Sequence, residues 1–465
     1  MNPGLAIDSL PRKVPWLEPF RTAGLGEMPA LSRLVAVFAL HALLGLAMHR
    51  LSALATLHTF CTVLSVLAIA LYTKSPAVVL MCAAYVSGSE VLWRMSKAYT
   101  FHETAKYTVT LLCLIGLVRL RKVRLPGPAV LYLALLLPAA VFPFVYFPLD
   151  TFRKQVMFHL SGPICIAFCI VYCANTRISV AELWRVVVAF AAPLCGVAAV
   201  TVFSSYMREV RFTTDSNFQT SGGFGPNQVA SSLALGALML VLAVLLGRMP
   251  WKTRLLLTLA GAVFVVQSAM TFSRGGLASS AAALALALPF ALSGHRYRKQ
   301  ILAGIIGLSV LLAVAFPLVN AYTGGKLAER FTEKEMSGRE QLVHADWLVF
   351  QEFPVFGVGV GISRFFHPGG TTAHTEFTRA MAEHGLLGIA AYLSLFWLLF
   401  RRSAAIVRDP ANRPLRGFLV ALMAWPLLYM VVNAMRTSAP ALALGLAFLA
   451  VAPFVAPGRE QKFLR

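Results

Sequence analysis

The sequence is poor in charge, and poorest in negative charge. Only 13% of its 465 residues are charged, 19 acidic against 41 basic, where a soluble domain usually carries about a quarter charged. With 58% hydrophobic residues and a mean hydropathy of +0.72, the apolar surface exceeds what one aqueous core can hide. That excludes a soluble globular fold and makes lipid the expected solvent. Polar segments lack cysteine altogether. Cys61, Cys82, Cys113, Cys165, Cys169, Cys173 and Cys195 all fall in apolar stretches, which argues against a disulfide framework or a Cys-based metal site. Cys165, Cys169 and Cys173 recur at i, i+4 and i+8, a spacing that suits small side chains packed between membrane helices. The chain also lacks an internal repeat, a low-complexity tract and a leading apolar run. Residues 1–32, with Arg12, Lys13 and Arg21, are expected to form a cytoplasmic or interfacial lead-in.

What is present is a series of apolar runs near the roughly 20 residues a spanning helix needs. Up to fourteen are readable, at about 34–49, 53–72, 76–93, 104–119, 128–147, 156–174, 180–204, 226–247, 254–272, 276–294, 301–320, 385–400, 416–434 and 438–457. The first and last pairs are closely spaced. The expected fold is therefore an all-α polytopic membrane bundle of 12–14 helices with a large, partly helical outer loop, periplasmic on the resemblance given below. Its divisions are a lead-in (1–33), the bundle (34–320), the loop (321–384), C-terminal spans (385–457) and a tail (458–465).

Orientation follows from Lys/Arg bias in short loops. The clusters around Arg119–Arg124, Arg248–Arg254, Arg296–Lys299 and Arg401–Arg416 are separated by even numbers of spans, so they share one face with both termini. On that topology 25 of the 41 Lys/Arg face the cytoplasm and 16 face outward. Segments 205–225 and 321–384, the two long enough for chemistry, then face outward. Arg94, Lys97, Arg153, Lys154, Arg208, Arg211 and Arg274 lie outside against the usual bias. Singly each reads as an anchor at lipid phosphates; together they suggest an anionic ligand, which arginine grips through its planar fork. The net charge of +22 is largely topology and gives no reason to invoke nucleic acid.

Segment 321–384 opens with mixed charge and reaches Ser337-Gly338-Arg339-Glu340, where Ser337 and Glu340 have capping-box spacing. Leu342, Val343, Trp347 and Phe350 supply an apolar stripe for the helix that follows, and Pro354 ends it. Gly357, Gly359 and Gly361 alternate with valine. Without a βαβ context they are no dinucleotide site; a turn near the membrane or an anion nest would account for them. His374 comes next, roughly three helical turns before the span that opens at Gly385, at the expected interface. A neutral imidazole there can take a proton from an alcohol. Phe212 to Asn227 ends in a Gly/Pro break before a span. Arg274 sits in a hairpin with almost no aqueous loop, which makes it a functional candidate.

Three segments together resemble one family, the O-antigen ligase/polymerase superfamily of bacterial surface glycan assembly. They are Gly225-Pro226-Asn227, Ser273-Arg274-Gly275, and the run from Ser337-Gly338-Arg339-Glu340 through Phe356-Gly357, Gly359 and Gly361 to His374-Thr375. The run closes with nine residues and then Gly385-Leu386-Leu387-Gly388. The family pattern is a histidine, usually followed by Asn or Ser, then the same gap and Gly-x-x-Gly; Thr375 is a mild departure. The resemblance covers roughly residues 205–400, and within the superfamily the chain looks like an O-antigen ligase.

Such a resemblance implies transfer of O-antigen from undecaprenyl diphosphate to lipid A–core at the periplasmic face of the inner membrane. It implies His374 as the catalytic residue and Arg339 and Arg274 as ligands of the donor diphosphate. Arg211 and Arg208 are carried over on position in the outer segment alone. No cofactor and no metal are expected, because arginines supply the positive charge and the outer segments hold no dense carboxylate cluster. A single displacement would invert the anomeric centre. O-antigen polymerase and protein O-oligosaccharyltransferase share the donor and differ in acceptor. A transporter would place its polar site near the midplane of two related halves.

Overall fold

The computed structural model describes residues 30–207, 210–293, 298–333 and 339–452. It is an all-α polytopic bundle. Among the described residues, eleven helices are long and apolar enough to cross a membrane, and two shorter apolar helices, Thr104–Val118 and Arg416–Val432, join them. In chain order the helices are α1 (Leu31–Arg50), α2 (Ser52–Tyr72), α3 (Pro76–Met95), α4 (Thr104–Val118), α5 (Gly127–Leu136), α6 (Pro143–Tyr146), α7 (Leu149–Ala174), α8 (Val180–Tyr206) and α9 (Pro226–Leu246). They continue as α10 (Trp251–Met270), α11 (Arg274–Leu292), α12 (Arg298–Tyr322), α13 (Lys326–Thr332), α14 (Arg339–Glu352), α15 (Glu376–Arg408), α16 (Arg416–Val432) and α17 (Ala439–Leu446).

The centre is built from α3, α7, α8 and α9, whose spanning windows are mostly buried, whereas α1, α2 and α12 face outward. Close approach depends on small residues, as expected where lipid removes the hydrophobic drive between helices. A Cβ at Gly196 of α8 would lie 2.8 Å from the His41 carbonyl oxygen of α1. The cysteine column works the same way: a Cβ on Gly445 of α17 would meet the Cys169 Cβ at 2.7 Å. Two prolines, Pro138 and Pro143, break the fifth span into α5, a 3-10 turn and α6.

Contacts sort the connections into two ends. At one end the Asn217 N–H donates to the Thr271 carbonyl (2.9 Å), the Tyr322 hydroxyl to the Ser205 carbonyl (2.9 Å), and Arg94 to Gln228 (2.7 Å) and the Arg436 carbonyl (2.9 Å). At the other end the Arg124 N–H donates to the Asn175 side chain (2.7 Å) and Arg413 to the Ser293 carbonyl (3.4 Å). A two-stranded parallel sheet, β1 (Arg177–Ser179) with β2 (Ala450–Ala452), also closes that second end. The alternation read from charge bias groups the same connections.

One apolar run departs from its expected form. The segment at 438–457 begins as an eight-residue helix and turns into strand β2. Such irregular backbone is tolerated at membrane depth because protein surrounds it and satisfies its carbonyls: Arg402 donates to Ala447 (2.8 Å) and Leu449 (2.7 Å). The outer segment departs too. The buried face of α14 is Leu342, Asp346 and Val349, while Val343 and Trp347 are exposed. Helix α15 starts at Glu376, nine residues before the expected span, and breaks at Gly385 (φ 60, ψ −141).

Candidate active site

The site is assembled at the end that carries the long connections. The α10–α11 hairpin turns at Phe272, whose left-handed φ of 56 is unusual for a bulky residue. It is clamped from several sides: Thr220 Oγ1 donates to the Met270 carbonyl (2.5 Å), Ser273 Oγ to Asn227 Oδ1 (2.7 Å) and buried Arg330 Nε to the Phe272 carbonyl (3.1 Å). Arg274 opens α11 and donates to the Glu333 and Arg330 carbonyls at the end of α13. Two of the sequence motifs, at 225–227 and 273–275, are thus tied by one hydrogen bond.

His374 is placed by a second group of contacts. Asp346 receives the His367 ring N–H (2.8 Å) and the Thr378 hydroxyl (2.7 Å), joining α14 to the first turn of α15. That pairing raises the His367 pKa against the opposing effect of burial, and a bond to the Thr371 carbonyl adds to it. Thr375 is the N-cap of α15, its hydroxyl accepting from the Thr378 N–H (3.3 Å). A cap is what Ser, Asn and Thr supply in common, so the departure at Thr375 keeps the physical role of the position.

The glycine alternation is a rigid cradle whose amides are already used. Val358 and Gly359 donate to the Ala382 and Glu383 carbonyls (3.0 Å each), Val360 to the Ala139 carbonyl (3.2 Å), and Gly361 to the Glu383 carboxylate. They cap the half-helix that ends at Gly385 and are not turned toward an outside anion. Beneath them, Arg379 bonds Glu383 (2.5 Å) and Glu376, and the Tyr392 hydroxyl donates to Glu376 (3.0 Å). All four residues are buried, and a buried ion cluster persists only when its members satisfy one another.

His374 opens onto a cavity of about 160 Å3 with Asn227, Gln228, Tyr429, Asn433 and Arg436 among its walls. Arg436 reaches over from the α16–α17 turn and donates to Thr372 Oγ1 (2.7 Å) and the Ala373 carbonyl (3.3 Å). Burial, followed by the charges of Arg436 and Arg339, pushes the His374 pKa down to about 4. Arg339 is itself held below the usual arginine range, first by burial and then by Arg274 and Arg330; it stays charged at any physiological pH. A neutral imidazole therefore sits inside a field set by several guanidinium groups.

Of the residues expected from sequence, Arg339 lies within electrostatic reach of His374 on one side and of Arg274 on the other. Arg211 is exposed, one residue from Phe212, which stacks on Phe272 with ring centroids 5.7 Å apart. Arg208, Ser337 and Gly338 lie outside the described residues. Sequence reasoning missed Arg436, although its place between two closely spaced apolar runs is the same signal that marked Arg274. It also missed Arg330, hidden among the charges of α13. Among the described residues no three His, Cys, Asp or Glu side chains gather as a metal-ligand set.

No curated protein matches the chain. Residues 262–393, from within α10 to within α15, match the family described as O-antigen ligase. Arg274, Arg339, the glycine cradle and His374 all fall inside that stretch, so the part of this multi-pass helical bundle that carries the candidate site is similar to the O-antigen ligase family.

Proposed function

We propose that the chain transfers O-antigen polysaccharide from undecaprenyl diphosphate to lipid A–core at the periplasmic face of the inner membrane. One observation carries the reading: a neutral histidine opens on a cavity shared with Arg436, and Arg339 links its field to Arg274. A glycan on diphosphate has a good leaving group once the phosphate charge is offset. The acceptor hydroxyl oxygen attacks the anomeric carbon and its proton passes to the His374 imidazole. The anomeric C–O bond breaks, its electron pair stays on the phosphate oxygen, and undecaprenyl diphosphate leaves with inversion at the sugar.

In this scheme Arg274 and Arg339 hold the diphosphate and fix the line of attack, and their charge replaces that of a metal. Arg211 supports the rim of the donor site, and Arg208 is carried with it on sequence position alone. Transfer in vitro from lipid-linked glycan, with lipid A–core, a second lipid-linked glycan or an acceptor protein supplied in turn, tests the reading. Lipid A–core should be the productive acceptor, and EDTA should leave the rate unchanged. Transfer to another acceptor, a product of retained configuration, or a chelator-sensitive rate would each refute the corresponding part.

A further inference from the structure

The α16–α17 turn, residues 433–438, has no regular secondary structure, yet buried charged side chains from three helices hold its backbone. Glu90 accepts from the Ser438 N–H and hydroxyl (2.7 Å each), and Arg94 donates to the Arg436 carbonyl (2.9 Å). Lys106 donates to the Met435 carbonyl (3.4 Å), and Glu376 accepts from the Met435 N–H (2.9 Å). Buried charge is costly unless each group is bonded. Here it is spent on the shape of a turn that carries Asn433 and Arg436 into the cavity beside His374.

Beside the acceptor nitrogen of His374, the amide and guanidinium groups of the cavity wall offer mainly donors. The acceptor ends of two wall amides are already occupied: Ser273 donates to Asn227 Oδ1 (2.7 Å) and Arg94 to Gln228 Oε1 (2.7 Å). Their NH2 groups are what remain. Arg436 adds donors only. Asn433 is 6% exposed, and its Nδ2 has no hydrogen-bond partner. That amide stands against the first turn of α11, 3.4 Å from where a Cβ on Gly275 would sit, next to Arg274. A buried donor without a partner calls for an explanation, and a wall rich in donors selects a ligand that presents acceptors. A neutral sugar offers hydroxyl donors as well as acceptors, whereas a phosphate diester or diphosphate offers acceptors alone.

We infer that Asn433, Gln228 and Arg436 form an oxyanion cradle for a phosphate of the lipid-linked donor, extending the Arg274–Arg339 site toward His374. The inference rests on the transfer reading above. The three residues lie outside the stretch that matches the family, and none belongs to the motifs singled out in the sequence.

The test uses the full chain in detergent, with affinity measured from the ligand-concentration dependence of Tm. Farnesyl diphosphate serves as probe and phosphatidylglycerol as the alternative phosphate source. Asn433→Asp replaces the donor by a carboxylate, and Gln228→Glu does so while keeping the bond from Arg94. Each should weaken farnesyl diphosphate binding about tenfold or more, and the wild-type chain should prefer the diphosphate. If Asn433→Asp does not fold, Gln228→Glu decides. Should both variants bind within about twofold of wild type while Arg339→Ala loses binding, the cradle is wrong and the transfer reading stands. Unchanged binding in all three would end both. Equal affinity for phosphatidylglycerol would make the cavity a membrane-headgroup site and overturn the donor assignment.

Discussion

The free protein holds His374 at about 4, with burial the largest cause and then Arg436 and Arg339. An imidazole so acidic is a weak base, and the deficit has a built-in remedy. A diphosphate bound among the arginines offsets the charges that depress the ring, so its proton affinity should climb toward the ordinary value of about 6.5 when the donor is present. The acid limb of kcat/KM reports the free enzyme, and that of kcat reports the donor complex. The first should therefore fall near pH 4 and the second distinctly higher. Arg436→Gln should raise the limb of kcat/KM, but not as far as 6.5, because burial remains. Initial transfer rates from about one pH unit below the lower limb to about pH 8, at subsaturating and saturating donor, measure both limbs. Fold stability needs a parallel control with a definite sign. The folded His374 pKa lies below its unfolded value, so its contribution is complete above about 6.5 and is lost as pH falls toward about 4. His367 has the opposite sign, its contribution being complete below about 6.5 and lost as pH rises through its elevated value. Coincident limbs for kcat and kcat/KM, or an unchanged profile in His374→Gln, would refute the base assignment.

Other outcomes follow from the same geometry. His374→Ala should lower kcat by about 10²–10⁴-fold with little change in KM, checked by steady-state transfer. Arg274→Ala and Arg339→Ala should weaken donor binding and slow transfer, and Arg339→Lys should restore charge without the planar fork and recover only part; full recovery would reduce Arg339 to a point charge. Gly385→Ala should lower Tm sharply. Its backbone conformation costs a side chain about 1–3 kcal/mol, and its Cβ would lie 2.7 Å from the Gly357 nitrogen. Thr375→Ala should cost about 1 kcal/mol as a lost helix cap and loosen His374, while Thr375→Asn should keep both stability and activity.

Hydropathy and charge bias were enough to read the bundle, because a membrane allows few ways to satisfy a backbone. They were also enough to gather the connections at two ends. They failed where polar contacts overrule periodicity. Asp346 occupies the buried face of α14 because His367 and Thr378 bond it there, and no apolar stripe announces such a residue. The nest reading at Gly357–Gly361 failed for a related reason: those amides serve carbonyls on α15 and at Ala139, partners that only the fold supplies. His374, Arg274 and Arg339 could be singled out because each stands in an ordered motif. Gln228, Asn433 and Arg436 could not, since their meaning depends on helices remote in sequence meeting at one turn.

The parallel pairing of Arg177–Ser179 with Ala450–Ala452 bears on how topology is mapped in this chain. Counting apolar runs treats the last one as an ordinary crossing, and an error of one there would invert the sidedness assigned to the tail at 458–465. Backbone ladder bonds remove that ambiguity: a reporter inserted after Asn175 and one fused just beyond Ala452 must give the same answer, whichever compartment it is.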